Sequence, residues 1–224
     1  MKMLAYDASS SFLSAALFDG EKLLSTKTMH SLRHSDVLMS FISQILDENQ
    51  VPAKKIDVLA LGLGPGSFTG LRVGVATAKM LAFTLGWKLA GVSSLAALAQ
   101  DVEGWRGPIA VILDAKKNLL YASFYEKDEN LVRESKKPAL MSIEQVLKTA
   151  KKQTYFTGSG VALYKEKLLE SGKSFFSEKC ESFPKAQHIG MLALQLIKAK
   201  KFVDPFKLLP HYLHPKDCNV TKRP

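Results

Sequence analysis

Residues 57–86 read DVLALGLGPGSFTGLRVGVATAKMLAFTLG, and the architecture follows from this stretch. Asp57–Leu63 is an apolar run of strand length. A small-residue helix follows from about Gly70 to Leu85 and stops at Gly86. Between them lies Gly64-Pro65-Gly66-Ser67, with Thr69 close behind. A strand–glycine loop–helix unit favours an anion, because backbone N–H groups point out of the helix N-terminus and hydroxyls such as Ser67 and Thr69 can join them. The segment is neither a Walker loop nor GxGxxG. A second reading competes for the same glycines. Gly66, Gly70, Gly74 and Ala78 recur every four residues, which leaves a bare stripe along one helix face for close packing.

Working outward, Met3–Ala8 and Ser14–Phe18 read as strands, and Asp19-Gly20 signals a hairpin to a third strand near Leu23–Met29. Ser35 opens a helix whose apolar positions are Val37, Leu38, Phe41, Ile42, Ile45 and Leu46. A strand near Lys88–Val92 and a helix capped by Ser93 or Ser94 complete a β-β-β-α-β-α-β-α order. The second half repeats it, with strands at Ile109–Asp114, Leu119–Tyr125, Leu131–Pro138 and Gln153–Thr157. Helices follow Ser142 and cover Tyr164–Leu169 and Ala186–Lys200, and an irregular strand falls around Ser174–Phe183. Gly104, Gly107 and Pro108 mark the boundary, giving domains 1–104 and 105–224. A three-strand meander followed by βαβα, made twice, predicts an α/β protein of the duplicated actin-like, heat-shock-ATPase-like (ribonuclease H-like) fold.

Composition narrows the class. With 46% hydrophobic and 23% charged residues the chain is an ordinary globular protein. No apolar run approaches the roughly 20 residues that cross a bilayer. Asp7 interrupts the place where a signal peptide would be apolar, so the expected location is cytoplasmic. Cys180 and Cys218 form no CxxC pair, and neither a disulfide nor a zinc site is expected. Residues 1–104 hold nine Lys/Arg and nine Asp/Glu, whereas residues 105–224 hold 22 and 12. A basic second half fits either a polyanion such as nucleic acid or a solvated lysine surface, and no aromatic stacking motif accompanies it.

Candidate chemistry is thin. Asp7 closes the first strand, where actin-like folds keep a carboxylate near phosphate and metal, and Ser9, Ser10 and Ser11 follow it. Asp114 holds the matching place in the second half but lacks flanking glycines, and Gly158-Ser159-Gly160 resembles the remnant of an adenosine-side turn. These residues outline a vestigial nucleotide site with room for weak ATP or ADP binding and no intrinsic cofactor. His30 and His34 have i, i+4 spacing but straddle a helix start, so no metal site is expected. His211 and His214 flank prolines in an extended tail and read as surface residues.

GPGSFTGLRVGVATAKMLA resembles the signature of the bacterial TsaB (YeaZ) family, relatives of TsaD. MLAYDASSSFLSAALF, HSDVLMSFISQIL, LDAKKNLLYASFY, FTGSGVALYKEKL, FPKAQHIGMLAL and LLPHYL extend the likeness along nearly the whole chain. The resemblance implies a role in making N6-threonylcarbamoyladenosine on tRNA, at the adenosine beside the anticodon. It implies pairing with TsaD, engagement of the ATPase TsaE, a homodimer when alone, and contact with tRNA through the complex. The partner subunits, rather than this chain, would use ATP, magnesium and metal. A protease activity, suggested by the older glycoprotease-like label, has no support in the residues. The resemblance also implies a helical interface on the first two helices, placed here at Leu38, Phe41, Ile42, Ile45, Gly70, Gly74, Val75 and Ala78. The glycine stripe could instead face the sheet. Of its flanks, Val73 and Ala76 mark one side, and Leu71, Val75 and Leu85 the other. The rival reading is a freestanding ATP-dependent enzyme of the same fold, such as a small kinase, favoured by Asp7 and GPGSFTG and opposed by the missing second glycine-rich phosphate loop.

Overall fold

A computed structural model describes residues 1–129, 131–172, 174–176 and 183–213. Cys180, Cys218, His214 and residues 177–182 of the expected Ser174–Phe183 strand lie outside them. The chain forms two compact units, Met1–Ala97 with Pro184–His211, and Leu98–Phe183 with Tyr212–Pro224.

Unit 1 is built on β1 (Lys2–Asp7), β2 (Phe12–Asp19), β3 (Lys22–His30), β4 (Ile56–Gly62) and β5 (Lys88–Val92), in the order β3-β2-β1-β4-β5. The first three strands run as an antiparallel meander, and β4 and β5 are parallel to β1. Side-chain alternation splits the central strands between two cores. Leu4, Tyr6, Leu13, Leu17, Leu59 and Leu61 meet α1 (His34–Glu48) and α2 (Phe68–Leu85) on one face. Met3, Ala5, Phe18, Val58 and Ala60 lie with Ala186, Ile189 and Ala193 on the other. Strands buried on both sides read as continuous apolar runs, as they do here.

Unit 2 repeats the order with β6 (Gly107–Asp114), β7 (Leu120–Lys127), β8 (Val132–Met141), β9 (Thr154–Thr157) and β10 (Ser174–Phe176), arranged β8-β7-β6-β9-β10. Its core joins Ala110, Ile112, Phe124 and Phe156 to Ile143 and Val146 of α4 (Ile143–Thr149) and Leu168 of α6 (Lys165–Glu170), with α5 (Gly160–Leu163) between β9 and α6. Ser142 caps α4 in a full capping box with Gln145. The duplication expected from the element order is therefore a duplication of sheet topology.

Two expectations need correction. The domains are not simply 1–104 and 105–224. The last helix, α7 (Ala186–Lys198), belongs to unit 1, where Gly190 lies so close to Phe18 that a Cβ would sit 2.2 Å from its ring. The Ala186 amide donates to Ser14 Oγ at 2.9 Å, tying residues 172 apart. The remaining helix, α3 (Ser94–Gln100), crosses the division between the units. The charge moves with the segment. Unit 1 carries 14 Lys/Arg against eight Asp/Glu, and unit 2 carries 17 against 13, so the excess is not confined to the second unit.

Candidate functional site

The glycine loop closes on the β1–β2 turn. Asp7 ends β1 with its side chain wholly buried. Its Oδ1 accepts from the Ser9 amide at 2.8 Å and Ser9 Oγ at 2.7 Å, and its Oδ2 accepts from Ser94 Oγ at 2.6 Å. Ser94 Oγ in turn accepts from the Gly64 amide at 3.0 Å, while the Ser94 amide donates back to the Gly64 carbonyl at 3.0 Å. The Ser67 amide donates to the Ser9 carbonyl at 2.7 Å, and Ser67 Oγ caps α2 by accepting from the Gly70 amide. Ser10 Oγ folds back on Phe12, accepting from its amide and donating to its carbonyl. Ser11 and Thr69 remain exposed.

The glycines are spent on this contact. A Cβ at Gly66 would stand 2.2 Å from the Ser9 carbonyl oxygen, at Gly70 2.1 Å from that of Ala8, and at Gly62 1.8 Å from Asp7 Oδ2. Gly64 has φ +87°, in the left-handed region that favours glycine. The stripe Gly66–Gly70–Gly74–Ala78 therefore faces the sheet, the second of the orientations open to it. Asp7, Ser9, Gly64, Gly66 and Ser67 do come together, but they satisfy one another rather than framing an open phosphate cradle.

Burial outweighs the three donors on Asp7 and holds its carboxyl above the usual carboxylate range. The sign of the pH effect follows. The folded state binds this proton more tightly than the unfolded chain, so the contribution of Asp7 to stability falls as pH rises from the ordinary carboxylate pKa through the folded one. Replacement by Asn removes that slope. Unfolding free energies of wild type and Asp7→Asn, measured from pH 4 to 8, are expected to change in the variant's favour as pH rises. A constant difference would mean that Asp7 carries its ordinary pKa.

In unit 2, Asp114 faces Lys116, whose amide and Nζ reach it at 2.8 and 2.5 Å. Lys116, Lys117 and Asn118 all take positive φ, so the turn equivalent to the serine-rich one is a left-handed lysine turn. Gly158 and Gly160 pack on the Ile112 carbonyl, with Cβ distances of 2.3 and 3.0 Å. Ser159 Oγ accepts from the Asp114 amide at 3.2 Å.

His30 ends β3 and His34 opens α1, so the two share no helix face. His34 packs beside Gly70, with Nε2 buried and without a hydrogen-bond partner, and burial lowers its pKa. The helix cap expected at Ser35 is absent; Ser35 Oγ donates instead to Asp36. Among the described residues no group of three His, Cys, Asp or Glu side chains is placed to hold a metal, and no helix is long and apolar enough to cross a membrane.

The interface residues expected on the first two helices are corrected by their burial. Leu38, Phe41, Ile42 and Ile45 are at most 2% exposed, and Gly70, Gly74, Val75 and Ala78 are also buried. The apolar stripe of α1 is used up by its own sheet and has no second face to give. On α2 the flank with Leu71 and Val75 points inward. The outer face carries Phe68, Arg72, Ala76, Met80 and Phe83, with Phe68, Met80 and Phe83 between 44% and 54% exposed. The Arg72 guanidinium lies 3.8 Å over the Phe68 ring, and Phe83 packs on Phe206. Met39 is the exposed apolar side chain of neighbouring α1. The sequence reading missed this face; the repeat of Phe68, Arg72, Ala76 and Met80 every four residues places them together, and only their exposure shows that they point outward.

Two meander-plus-βαβ sheets of one order define a duplicated actin-like protein whose first loop is filled by its own backbone. Residues 25–213 match the family model for TsaD, tRNA N6-adenosine threonylcarbamoyltransferase. The chain is 27% identical to the tRNA threonylcarbamoyladenosine biosynthesis protein TsaB of Bacillus subtilis, over 95% of this chain and 94% of that one. It is 31% identical to the Escherichia coli protein of the same name over 58% of this chain and 57% of that one. The solved structure of YeaZ from Pseudomonas aeruginosa superposes with a TM-score of 0.83 at 26% identity, covering 94% of this chain and all of that one. The chain belongs to the TsaD family, on its TsaB/YeaZ branch.

Proposed function

We propose that this chain is the non-catalytic partner subunit in tRNA N6-threonylcarbamoyladenosine biosynthesis, docking on a TsaD-type subunit through the outer face of α2 with Met39 of α1 and engaging TsaE within that assembly. The observation that carries the reading is a contrast within one segment. The loop that would serve a phosphate is closed by Asp7, Ser9 and Ser94, while the helix it opens holds Phe68, Met80 and Phe83 out in solvent. Aligned exposed apolar side chains mark protein contacts more often than idle surface. Catalysis, metal and ATP use then fall to the partners. Any nucleotide contact of this chain is weak and limited to exposed groups such as Ser11 and Thr69.

Met80→Glu and Phe83→Glu, made singly, are expected to keep the wild-type circular dichroism spectrum and melting temperature while weakening co-elution with the TsaD subunit by about 100-fold, since a desolvated carboxylate at an apolar contact costs several kcal/mol. Unchanged co-elution would move the interface elsewhere. If the variants lose only self-association, the face serves a second copy of this chain. Tight binding of magnesium–ATP with turnover by the isolated chain would instead support an autonomous enzyme.

A further inference from the structure

We propose that the end of unit 1 where β1, β4 and β5 begin is a binding surface for the phosphate backbone of tRNA, formed by Lys54, Lys55, Lys88, Lys200, Lys201 and Lys207. The proposal rests on the function above, which brings tRNA to the complex. Three chain segments converge there. Lys54 and Lys55 sit in the short helical turn Ala53–Lys55 ahead of β4, and Trp87 Nε1 donates to the Ala53 carbonyl at 3.1 Å, which ties that turn to the start of β5. Lys88 opens β5, with its ammonium 5.1 Å from the Phe202 ring centroid, and the Val203 amide donates to the Leu89 carbonyl at 2.8 Å. Lys200 and Lys201 close the end of α7, their amides held by the Ile197 and Leu196 carbonyls. Lys207 follows in the turn whose amide bonds the Asp204 carbonyl.

All six are exposed, and none has an ion-pair partner among the described residues. Nearby acids are engaged. Asp19 pairs with Lys2, Glu21 with Lys198 and Glu48 with Lys27, while Asp57 accepts from the Lys2 amide and Asp204 from the Phe206 amide. Asp47, at the end of α1, adds one negative charge. Asp57 and Asp204 keep their charge on these amide bonds, so six lysines face three carboxylates, and the surface keeps a net positive charge on ordered backbone.

Lysines of unit 2 differ. Lys116 is paired with Asp114 and Lys151 with Glu126, and Lys136 and Lys137 lie on edge strand β8, where lysine commonly guards against edge pairing. A spread of compact ammonium groups suits phosphates taken as point charges rather than the reading of bases.

The test uses the assembled complex with the TsaD subunit and an unmodified tRNA transcript bearing adenosine beside the anticodon, with binding followed by anisotropy across a salt series. Changing Lys54, Lys55, Lys88, Lys200 and Lys201 together to Gln is expected to weaken binding at least tenfold at 0.1 M salt. The slope of log K against log salt should fall by about two to four, given somewhat less than one unit per lost contact. Lys54→Gln with Lys55→Gln alone should remove about one to two. Changing Lys116, Lys117, Lys136 and Lys137 to Gln should alter affinity less than twofold. An intact complex with an unchanged slope in the first variant, or a slope flattened by the last instead, overturns the proposal. So does loss of binding to phosphatidylserine vesicles with tRNA affinity retained, which would make the surface lipid-binding. Failure of the wild-type chain to join the TsaD subunit overturns the function beneath it.

Discussion

Gly70→Ala is expected to cost the first unit about 4 kcal/mol or to unfold it, whereas Gly74→Ala, one helical turn on, is expected to be neutral or stabilising. Both glycines lie on the same face of α2 and are equally buried in character, yet their surroundings differ. A Cβ at Gly70 would stand 2.1 Å from the Ala8 carbonyl oxygen and 2.9 Å from His34 Nδ1. Neither neighbour is a flexible tip. The carbonyl is that of Ala8, directly after β1, pinned by the Ser67 amide on Ser9 next to it, and His34 is buried at the start of α1. Overpacking that a side chain can absorb costs about 1–3 kcal/mol, and more when main chain must move. At Gly74 the nearest atoms are Ala8 Cβ and Tyr6 Cε2, both at 3.6 Å, an ordinary contact. There the gain in helix propensity, roughly 1 kcal/mol, is free to appear. Urea unfolding followed by circular dichroism decides the matter. Equal losses at the two positions would mean that the stripe packs on a helix; no loss at Gly70 would mean that the loop stands away from the β1–β2 turn.

That pair also shows where the sequence stops being informative. A spacing of four fixes which residues share a face but not what that face meets, since the opposing surface comes from a strand sixty residues earlier. The strand pattern, the Gly86 stop, the Asp19-Gly20 hairpin and the helix start at Ser142 were legible because each is a local device. The return of α7 to unit 1 was not. Its amphipathic pattern declares a buried stripe, and only the fit of Gly190 on Phe18 and of Ala186 on Ser14 selects the sheet. The charge assignment failed for the same reason, because the lysines of residues 198–207 travel with that helix. Of the first-unit residues that the sequence outlined as a site, Asp7, Ser9, Gly64, Gly66 and Ser67 come together, while Ser10 turns onto Phe12 and Ser11 and Thr69 stay exposed. The closure of the site was not legible, since Ser94 comes from a separate element and carries no signal beyond being a helix-start serine.

Phe41→Glu is expected to give an unfolded or insoluble chain, and Val75→Glu to follow it more weakly. The family resemblance implied that both residues lie on a partner-binding face, where a carboxylate would spare the monomer. The structure puts Phe41 at 1% exposure within the cluster of Leu38, Ile45, Leu17 and Leu59, and Val75 at 6% on the inward flank of α2. Deleting a buried phenyl ring costs about 3–5 kcal/mol before the carboxylate is counted. An unpaired carboxylate adds several more unless it takes up a proton. Against a total stability of about 5–15 kcal/mol, that sum leaves little or no folded protein. Met80→Glu supplies the contrast on the same pair of helices, since its side chain already meets water. Thermal melts and sedimentation of the three variants without any partner give the answer. If Phe41→Glu melts like wild type, α1 turns its apolar stripe outward in solution and the buried face is not its resting one. If Phe41→Glu collapses while Met80→Glu melts normally, the inner flanks of α1 and α2 belong to the core and only the outer flank is left for a partner.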